Sequence, residues 1–309
     1  MIEQLIPAAL VLFWASIVLG RQLGLVDIPD ERKQHRGRIP LTGGVAIFAT
    51  VLFGVYLLDV QPYTAAMLVI ATAVFALALA DDHMRVSAGW RLVLYYASGI
   101  ALATAGGVAI RNVGNLLAMG DIPLLMLTVP LTALSVAGLS NAYNMIDGID
   151  GLAAGTIALP LAVLFALAQQ SGHPMAEFLL LMLLPLAMFL VFNLGPDRPW
   201  LPKIFLGDAG SITLGYLVTA SLVYFSQVEY AAGGEPLILP VTALWLVTVP
   251  LMDMLATMLR RLKHGQKLMQ ADRLHLHHTL LDMGFGPRQV LALLLAWAGL
   301  CAALGLALE

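Results

Sequence analysis

Acidic and amide side chains recur in short polar stretches that interrupt an otherwise apolar chain. Asp81 and Asp82 stand together at the end of one apolar segment, and residues 140–152 hold two asparagines, two aspartates and two glycines. Charge beside lipid is costly and usually functional, and neighbouring carboxylates either bind a divalent cation or share a proton. The plainer alternatives are two solvated acids at a helix end and an Asp-Gly turn between two helices. We interpret both stretches as candidate catalytic or metal-binding sites.

Two further stretches carry groups suited to phosphate. Residues 203–211 place Asp208, two glycines and Ser211 at the start of an apolar segment, where a helix N-terminus favours anions. Asp208 could equally be no more than a helix cap. Residues 272–278 hold three histidines beside an arginine, and these look more like donors to phosphate oxygens than the fixed shell of a zinc site. A basic loop on lipid headgroups would explain the arginine but not the histidines.

Two weaker candidates lie elsewhere. Lys33 and the Gly43-Gly44 pair belong to a basic stretch, most of whose charges need no role beyond membrane orientation. Asp253, inside a later apolar segment, either supports another site residue or is a buried acid held by a neighbouring helix.

The composition shows which solvent surrounds these stretches. Of 309 residues, 60% are hydrophobic and 11% are charged, with a mean hydropathy of +0.87. A soluble domain would carry about 25% charged residues, so lipid is the main solvent here. The net charge of −3 gives no reason to expect nucleic acid as a partner. The single cysteine, Cys301, cannot form an internal disulfide.

Apolar stretches of about 20 residues predict membrane-spanning helices. We therefore predict an all-α, polytopic transmembrane bundle of about ten helices that forms one integral-membrane domain over residues 1–309. Prolines inside the spans are expected to kink them without ending them. The predicted spans are 4–21, 43–60, 63–81, 91–109, 122–140, 152–170, 176–194, 209–227, 237–258 and 288–307.

The basic residues orient the bundle. Every lysine and arginine except Arg111 falls in, or borders, one alternate set of connections. Cytoplasmic connections collect such residues, so both termini are predicted to be periplasmic. The candidate site residues then all lie on the cytoplasmic side.

Taken together, these stretches resemble the polyprenyl-phosphate N-acetylhexosamine-1-phosphate transferases, the superfamily of the MraY and WecA enzymes. They are more similar to the WecA type, the undecaprenyl-phosphate N-acetylglucosamine-1-phosphate transferases. The resemblance runs from about Gly24 to Gln289 with its motifs in the same order. The motifs are 32–35, 81–82, 141–152, 203–211, 240–245, 250–253 and 272–278.

The resemblance implies a reaction and its partners. N-acetylhexosamine 1-phosphate, by default N-acetylglucosamine 1-phosphate, would pass from a UDP-sugar to undecaprenyl phosphate and release UMP. This step would begin a lipid-linked glycan such as O-antigen or a common antigen at the bacterial inner membrane, with the active site facing the cytoplasm. Mg²⁺ or Mn²⁺ is the implied cofactor, membrane lipids are partners, and a homodimer is left open.

The resemblance also implies roles for individual residues. The implied metal ligands are Asp208 and Asn144, and the implied catalytic acids are Asp81, Asp82, Asp147, Asp150 and Asp208. The implied nucleotide-sugar contacts are Asp147, Asp150, Phe205, Asn141, Arg273, His275, His277 and His278. The implied lipid-phosphate contacts are Lys33, Arg85 and Arg91.

Leu276 separates the histidines, which are adjacent in the muramyl-pentapeptide enzymes, and this departure argues against that substrate. Chains of the WecA type often continue beyond the equivalent of Glu309 into a further helix and a basic tail, whose role is left open. Another donor, such as UDP-N-acetylfucosamine, is an alternative within the same chemistry.

Two rival classes predict a different arrangement. A secondary transporter would place its site at mid-bilayer between repeated halves. An intramembrane aspartyl protease would need a second aspartate deep in a neighbouring span and no metal.

Overall fold

The computed structural model describes residues 2–29, 37–84, 87–115, 120–232, 234–266 and 274–309, and their regular structure is almost entirely helical. The all-α prediction is confirmed. The helices are α1 (Ile2–Gln22), α2 (Gly43–Leu57), α3 (Ala65–Met84), α4 (Ala88–Thr104), α5 (Thr128–Ile146), α6 (Leu152–Gln170), α7 (Ala176–Leu194), α8 (Gly207–Ala232), α9 (Pro240–Leu246), α10 (Thr248–Lys263), α11 (Leu276–Asp282) and α12 (Pro287–Ala307). A two-residue antiparallel pair, β1 (Val26–Asp27) and β2 (Ile39–Pro40), precedes α2.

Each of the ten predicted spans coincides with a helix or a helix pair, but not all of these helices have membrane length. Within the described ranges, seven helices are long and apolar enough to cross a bilayer, or eight if α9 and α10 count as one span. α2 and α4 have only 15 and 17 residues. The protein is therefore a multi-pass membrane protein, and the count of about ten spans is not confirmed.

The predicted span 237–258 is broken where a kink was expected. α9 and α10 meet at Val247 with a bend of 77°. Pro250, in the first turn of α10, has no backbone N–H to donate to the preceding turn. Close to the break, the hydroxyl of Thr248 donates to the carbonyls of Leu244 and Trp245. These bonds satisfy backbone oxygens at the break, as buried backbone in lipid requires.

Helix α8 lies at the centre of the bundle. Over an apolar stretch of α8 that is long enough to cross a membrane, 94% of the residues are buried, compared with 33% over the corresponding stretch of α1. Some of its hydroxyl side chains donate back to their own helix: Thr219 donates to the Gly215 carbonyl and Ser221 to that of Leu217, each at 2.7 Å. Such hydroxyls can be buried without partners on another helix, which suits a helix surrounded by others.

Glycines let neighbouring helices approach α8 at backbone distance. A Cβ added to Gly44 of α2 would lie 2.2 Å from the Cα of Gly210. On another side of α8, a Cβ on Gly215 would lie 2.8 Å from the Cα of Ser140 in α5. Small residues at helix contacts are typical of membrane bundles. They fix α2 and α5 against the start of α8, where the candidate site residues lie.

Candidate active site

Three helix ends bring the predicted acids to one end of the bundle. α3 carries Asp81 and Asp82 in its last turn, α5 ends two residues after Asn144, and α8 has Asp208 in its first turn. Since α3 and α5 both pack on α8, these three ends are neighbours. We call this region the acidic end.

Arg91 joins two of the acids. Its Nη1 lies 2.9 Å from Asp81 Oδ2 and 3.4 Å from Asp208 Oδ2. Asp81 is only 6% exposed, and a buried carboxylate needs such a partner. The sequence assigned Arg91 to the lipid phosphate; the structure places it between two candidate catalytic acids, and its role towards phosphate stays a prediction.

Asp82 lies over the N-terminus of α8. Backbone N–H groups of Asp208 and Ala209 donate to its carboxylate. Gly207, with a φ of 75°, makes the turn that presents these groups, since this conformation is costly for any residue with a Cβ. Among the described residues, Asp82 Oδ2 has no hydrogen-bond partner, although it is buried. A buried oxygen of this kind is available to water or to a cation.

Asp147 and Asp150 occupy the loop between α5 and α6. Loss of water among the surrounding protein atoms, together with the negative charges of Asp208 and Asp150, raises the pKa of Asp147 to about 7. Asp147 is nevertheless an exposed residue of this loop. Desolvation is the larger cause of this shift, and the nearby carboxylates of Asp208 and Asp150 add to it. The loop therefore favours the arrival of a cation.

Lys203 is a site residue to which the sequence assigned no role beyond membership of its motif. Its ammonium group forms an ion pair with Asp150 Oδ2 and lies 5.9 Å from the centre of the Phe205 ring. Its backbone N–H donates to Asp197 Oδ1 at 3.0 Å, which anchors the loop before α8. The pairing joins residues 53 positions apart, and no local sequence pattern predicts it.

The two asparagines of α5 are used differently. Asn144 Nδ2 donates to Ser211 Oγ of α8 at 3.1 Å, which leaves its amide oxygen as the acceptor. Asn141 Nδ2 donates to Met145 Sδ within α5. Asn144 is thus tied to the α8 motif, whereas the bond observed for Asn141 does not reach another candidate residue.

The histidine cluster reaches the same loop. The rings of His275 and His277 are nearly parallel with centroids 5.8 Å apart, and those of His277 and His278 are 4.1 Å apart. His277 is 1% exposed. A Cβ placed on Gly148 would lie 2.1 Å from its Nε2, so the imidazole packs directly on the backbone between Asp147 and Asp150. At Gly148 the absence of a side chain thus makes room for a protein imidazole.

Three of the predicted residues, Lys33, Arg85 and Arg273, lie outside the described residues. Of the rest, the structure brings Asp81, Asp82, Arg91, Asn144, Asp147, Asp150, Phe205, Asp208, His275, His277 and His278 to the acidic end.

The side chains fit a magnesium or manganese ion that substrate helps to hold. Within the described ranges, no group of three His, Cys, Asp or Glu side chains could hold a metal by itself. Mg²⁺ commonly takes only one or two carboxylates and completes its shell with water and substrate phosphates. Among the described residues, Asp82 Oδ2 has no hydrogen-bond partner, and Asp208 and Asp150 bring negative charge close to Asp147; both features suit such an ion.

A well-formed cavity lies away from these residues. Its volume is about 220 Å³, and mainly apolar side chains of α5, α8 and α9 line it, among them Leu139, Leu222 and Leu244. None of the candidate site residues lines this cavity. The charged groups of the acidic end, and not the apolar cavity, are the part of the molecule equipped for chemistry.

A helical membrane bundle that gathers acids, an arginine, a lysine and imidazoles at one end defines a membrane-embedded enzyme for anionic substrates. The chain belongs to Glycosyl transferase family 4, whose family model matches residues 64–226. The transferase prediction is therefore confirmed at the level of the family.

Three relatives carry the same printed name, undecaprenyl-phosphate alpha-N-acetylglucosaminyl 1-phosphate transferase. The protein of Yersinia pestis is 34% identical over 92% of this chain and 77% of its own length. That of Escherichia coli strain K12 is 34% identical over 97% and 80%. That of Haemophilus influenzae is 32% identical over 93% and 80%. The predicted resemblance to this family is thereby confirmed.

Proposed function

We propose that this protein transfers N-acetylglucosamine 1-phosphate from UDP-N-acetylglucosamine to undecaprenyl phosphate and releases UMP. The observation that carries the proposal is the Asp81–Arg91–Asp208 bridge beside the Asp147–Asp150 loop. It supplies acids for a cation and cations for phosphate at one end of a lipid-soluble bundle. The relatives' printed names supply the sugar and the lipid acceptor. Another UDP-N-acetylhexosamine remains the alternative donor.

The reaction replaces one phosphorus–oxygen bond by another. A phosphate oxygen of the acceptor attacks the sugar-bearing phosphorus, and the bond from that phosphorus to the bridging oxygen breaks. UMP leaves with the bridging oxygen. Phosphoryl transfer depends chiefly on positioning the substrates and on neutralising charge. The acidic end suits this reaction because most of its side chains are charged, some negatively and some positively.

A divalent ion would be held by Asp208 and by the amide oxygen of Asn144, with Asp82 close by. When bound, it neutralises negative charge on the diphosphate and makes the bridging oxygen a better leaving group. The protein residues do the rest by placing the two substrates. Arg91 holds Asp81 and Asp208 close together through its two ion pairs, and the hydrogen bond to Ser211 holds Asn144 in place.

The nucleotide would lie against the loop before α8. Phe205 offers an aromatic face for uracil, and Asp150 offers an acceptor for its N–H. Asp147, Asn141 and the histidines His275, His277 and His278, with Arg273, would contact the rest of the donor. Lys203 holds the Asp150 carboxylate in position through their ion pair.

Asp81 and Asp82 need not act as a base. A phosphate monoester loses its second proton near pH 6, so the acceptor is already largely ionised at neutral pH. Asp81 already forms an ion pair with Arg91. This pairing suits a role for Asp81 in organising charge. Lys33, Arg85 and Arg91 are the proposed contacts of the lipid phosphate.

The proposed setting is the bacterial inner membrane, with the acidic end at the cytoplasmic surface and residues 1–309 as a single domain. The distribution of lysine and arginine supports this orientation. A phosphate attached to an insoluble polyprenyl chain can be reached only at the membrane surface, and UDP-sugars are cytoplasmic metabolites.

The test compares purified wild type with Asp208→Ala in a detergent assay containing labelled UDP-N-acetylglucosamine, undecaprenyl phosphate and Mg²⁺. Loss of a group that stabilises transferring charge costs about 100- to 1,000-fold in rate. Asp121→Ala is the matched control, because Asp121 is an exposed acid in the connection before α5. The control should keep the wild-type rate, and EDTA should abolish wild-type activity until Mg²⁺ is restored. A wild-type rate in Asp208→Ala, or activity untouched by EDTA, would refute the metal assignment.

A further inference from the structure

Both carboxylate oxygens of Asp253, in α10, form hydrogen bonds with the same short segment of the chain. Oδ2 lies 2.8 Å from His275 Nδ1, and Oδ1 accepts the backbone N–H of Leu276 at 2.6 Å. The side chain is 5% exposed. Hydrogen bonds that involve an ionised acceptor are roughly twice as strong as neutral ones, so this carboxylate holds its two partners firmly.

The sequence of α10 directs Asp253 inward. Val249, Asp253 and Thr257 follow one another at intervals of four residues and are all buried. The opposite face carries exposed apolar side chains such as Met252 and Leu259. Residues four apart share a helix face, so the buried face of α10 presents a single carboxylate to the segment where α11 begins.

The contact of Asp253 extends to the acidic end through stacked imidazoles. His275, held by Asp253, lies parallel to His277, and His277 packs against His278 and against Gly148. Leu276, whose N–H is also held, is the first residue of α11, which carries His277 and His278. Asp253 therefore fixes both the ring next to His277 and the helix that carries it.

Asp253 bonds to one particular ring nitrogen of His275, and this has a chemical consequence. With Nδ1 engaged by a carboxylate, Nε2 is the only ring nitrogen left for other contacts. Carboxylate partners of this kind fix the orientation and tautomer of histidines in many sites, and their removal typically costs about 10- to 100-fold in affinity or activity. A carboxylate that served only to hold α10 against α11 would not need to select one nitrogen.

We propose that Asp253 is a positioning residue of the transferase: through His275 and the start of α11 it holds His277 and His278 where the donor diphosphate binds. This inference rests on the proposed function. It assigns Asp253 no contact with substrate.

The experiment compares steady-state kinetics of Asp253→Asn, His275→Gln and the double variant with wild type. Asparagine has the same shape and its oxygen can still accept the Leu276 N–H, so this change acts chiefly on the imidazole. Thr248→Val is the matched control, since it removes a hydrogen bond from α10 that does not involve His275. Thermal unfolding in detergent is measured for every variant.

Asp253→Asn should lower kcat/KM for UDP-N-acetylglucosamine by about 10- to 100-fold, mainly through KM, with a Tm close to that of wild type. Because both residues act through one contact, the double variant should be no worse than His275→Gln alone, within about threefold. Thr248→Val should keep wild-type kinetics.

Several results would overturn the inference while leaving the proposed function intact. They are wild-type kinetics in Asp253→Asn, fully multiplicative losses in the double variant, or a loss that only follows a lowered Tm. If Asp253→Asn does not accumulate as folded protein, His275→Gln decides, and a wild-type KM for that variant overturns the inference. Absence of transfer by wild-type enzyme would instead refute the proposed function itself.

Discussion

Replacement of Gly148 by alanine tests whether the histidine cluster and the Asp147–Asp150 loop work as one unit. The new Cβ would lie 2.1 Å from His277 Nε2 and 2.8 Å from its Cε1. Carbon and nitrogen atoms in contact are normally about 3.5 Å apart or more. The imidazole or the loop must therefore move by about 1.4 Å, the difference between that contact distance and the 2.1 Å separation.

His277 has little room for such a movement. Its side chain is 1% exposed, and the rings of His275 and His278 lie 5.8 and 4.1 Å away. The φ angle of Gly148 is not in the left-handed region, so alanine fits the backbone there and the effect is purely steric. A displacement of about 1 Å in a site can cost about 100-fold in rate, which corresponds to about 2.7 kcal/mol of transition-state stabilisation.

The assay measures transfer of labelled sugar phosphate to undecaprenyl phosphate, expressed per folded enzyme. We expect kcat/KM to fall about 100-fold in Gly148→Ala. Gly299→Ala in α12 is the matched control, since the nearest atom to its added Cβ is 4.0 Å away and alanine favours a helix interior. Wild-type kcat/KM in folded Gly148→Ala would show that His277 is not held against the loop or does not take part in the reaction.

Two further predictions concern the nucleotide and the helix packing. Lys203→Gln leaves Asp150 without the cation with which it pairs. Both KM for UDP-N-acetylglucosamine and the inhibition constant for UMP should rise about 10-fold or more, as expected when one partner of a charge pair is removed. An unchanged inhibition constant for UMP would show that Lys203 plays no part in nucleotide binding. Gly44→Ala places a Cβ 2.2 Å from the Cα of Gly210, where backbone cannot yield easily; overpacking of this kind costs about 1–3 kcal/mol, so Tm in detergent should fall, and an unchanged Tm would contradict the close packing of α2 on α8.

Hydropathy predicted the long helices well because burial in lipid demands continuous apolar sequence. It could not predict the break at Val247, since residues on both sides of it are equally apolar. Pro240 and Pro250 carried the signal, but a proline in a membrane helix allows either a kink or an end. The short lengths of α2 and α4 were also hidden, because hydropathy counts apolar residues whether they are helical or not.

The sequence predicted which residues form the candidate site, because they stand in motifs of suitable residue types. It did not predict which residue each of them pairs with. Arg91 and Asp208 are 117 positions apart, and Asp253 and His275 are 22 apart. Such pairings follow from how helices pack, and packing depends on small residues such as Gly44 and Gly215, which carry no charge themselves. A sequence shows that a membrane protein carries polar groups at a surface; the fold decides which charge faces which.

If the proposed function holds, the pairing of charges at the acidic end should couple the binding of a divalent ion to that of the donor. Among the described residues, Arg91 is shared between Asp81 and Asp208, and Lys203 is committed to Asp150. In the proposed complex, a diphosphate would add further negative charge beside Asp147, whose pKa is raised first by loss of water and then by the charges of Asp208 and Asp150. Two like charges 4 Å apart cost about 4 kcal/mol near a protein surface. The donor and a cation should therefore bind more tightly together than either does alone, and by linkage each must strengthen the other by the same factor.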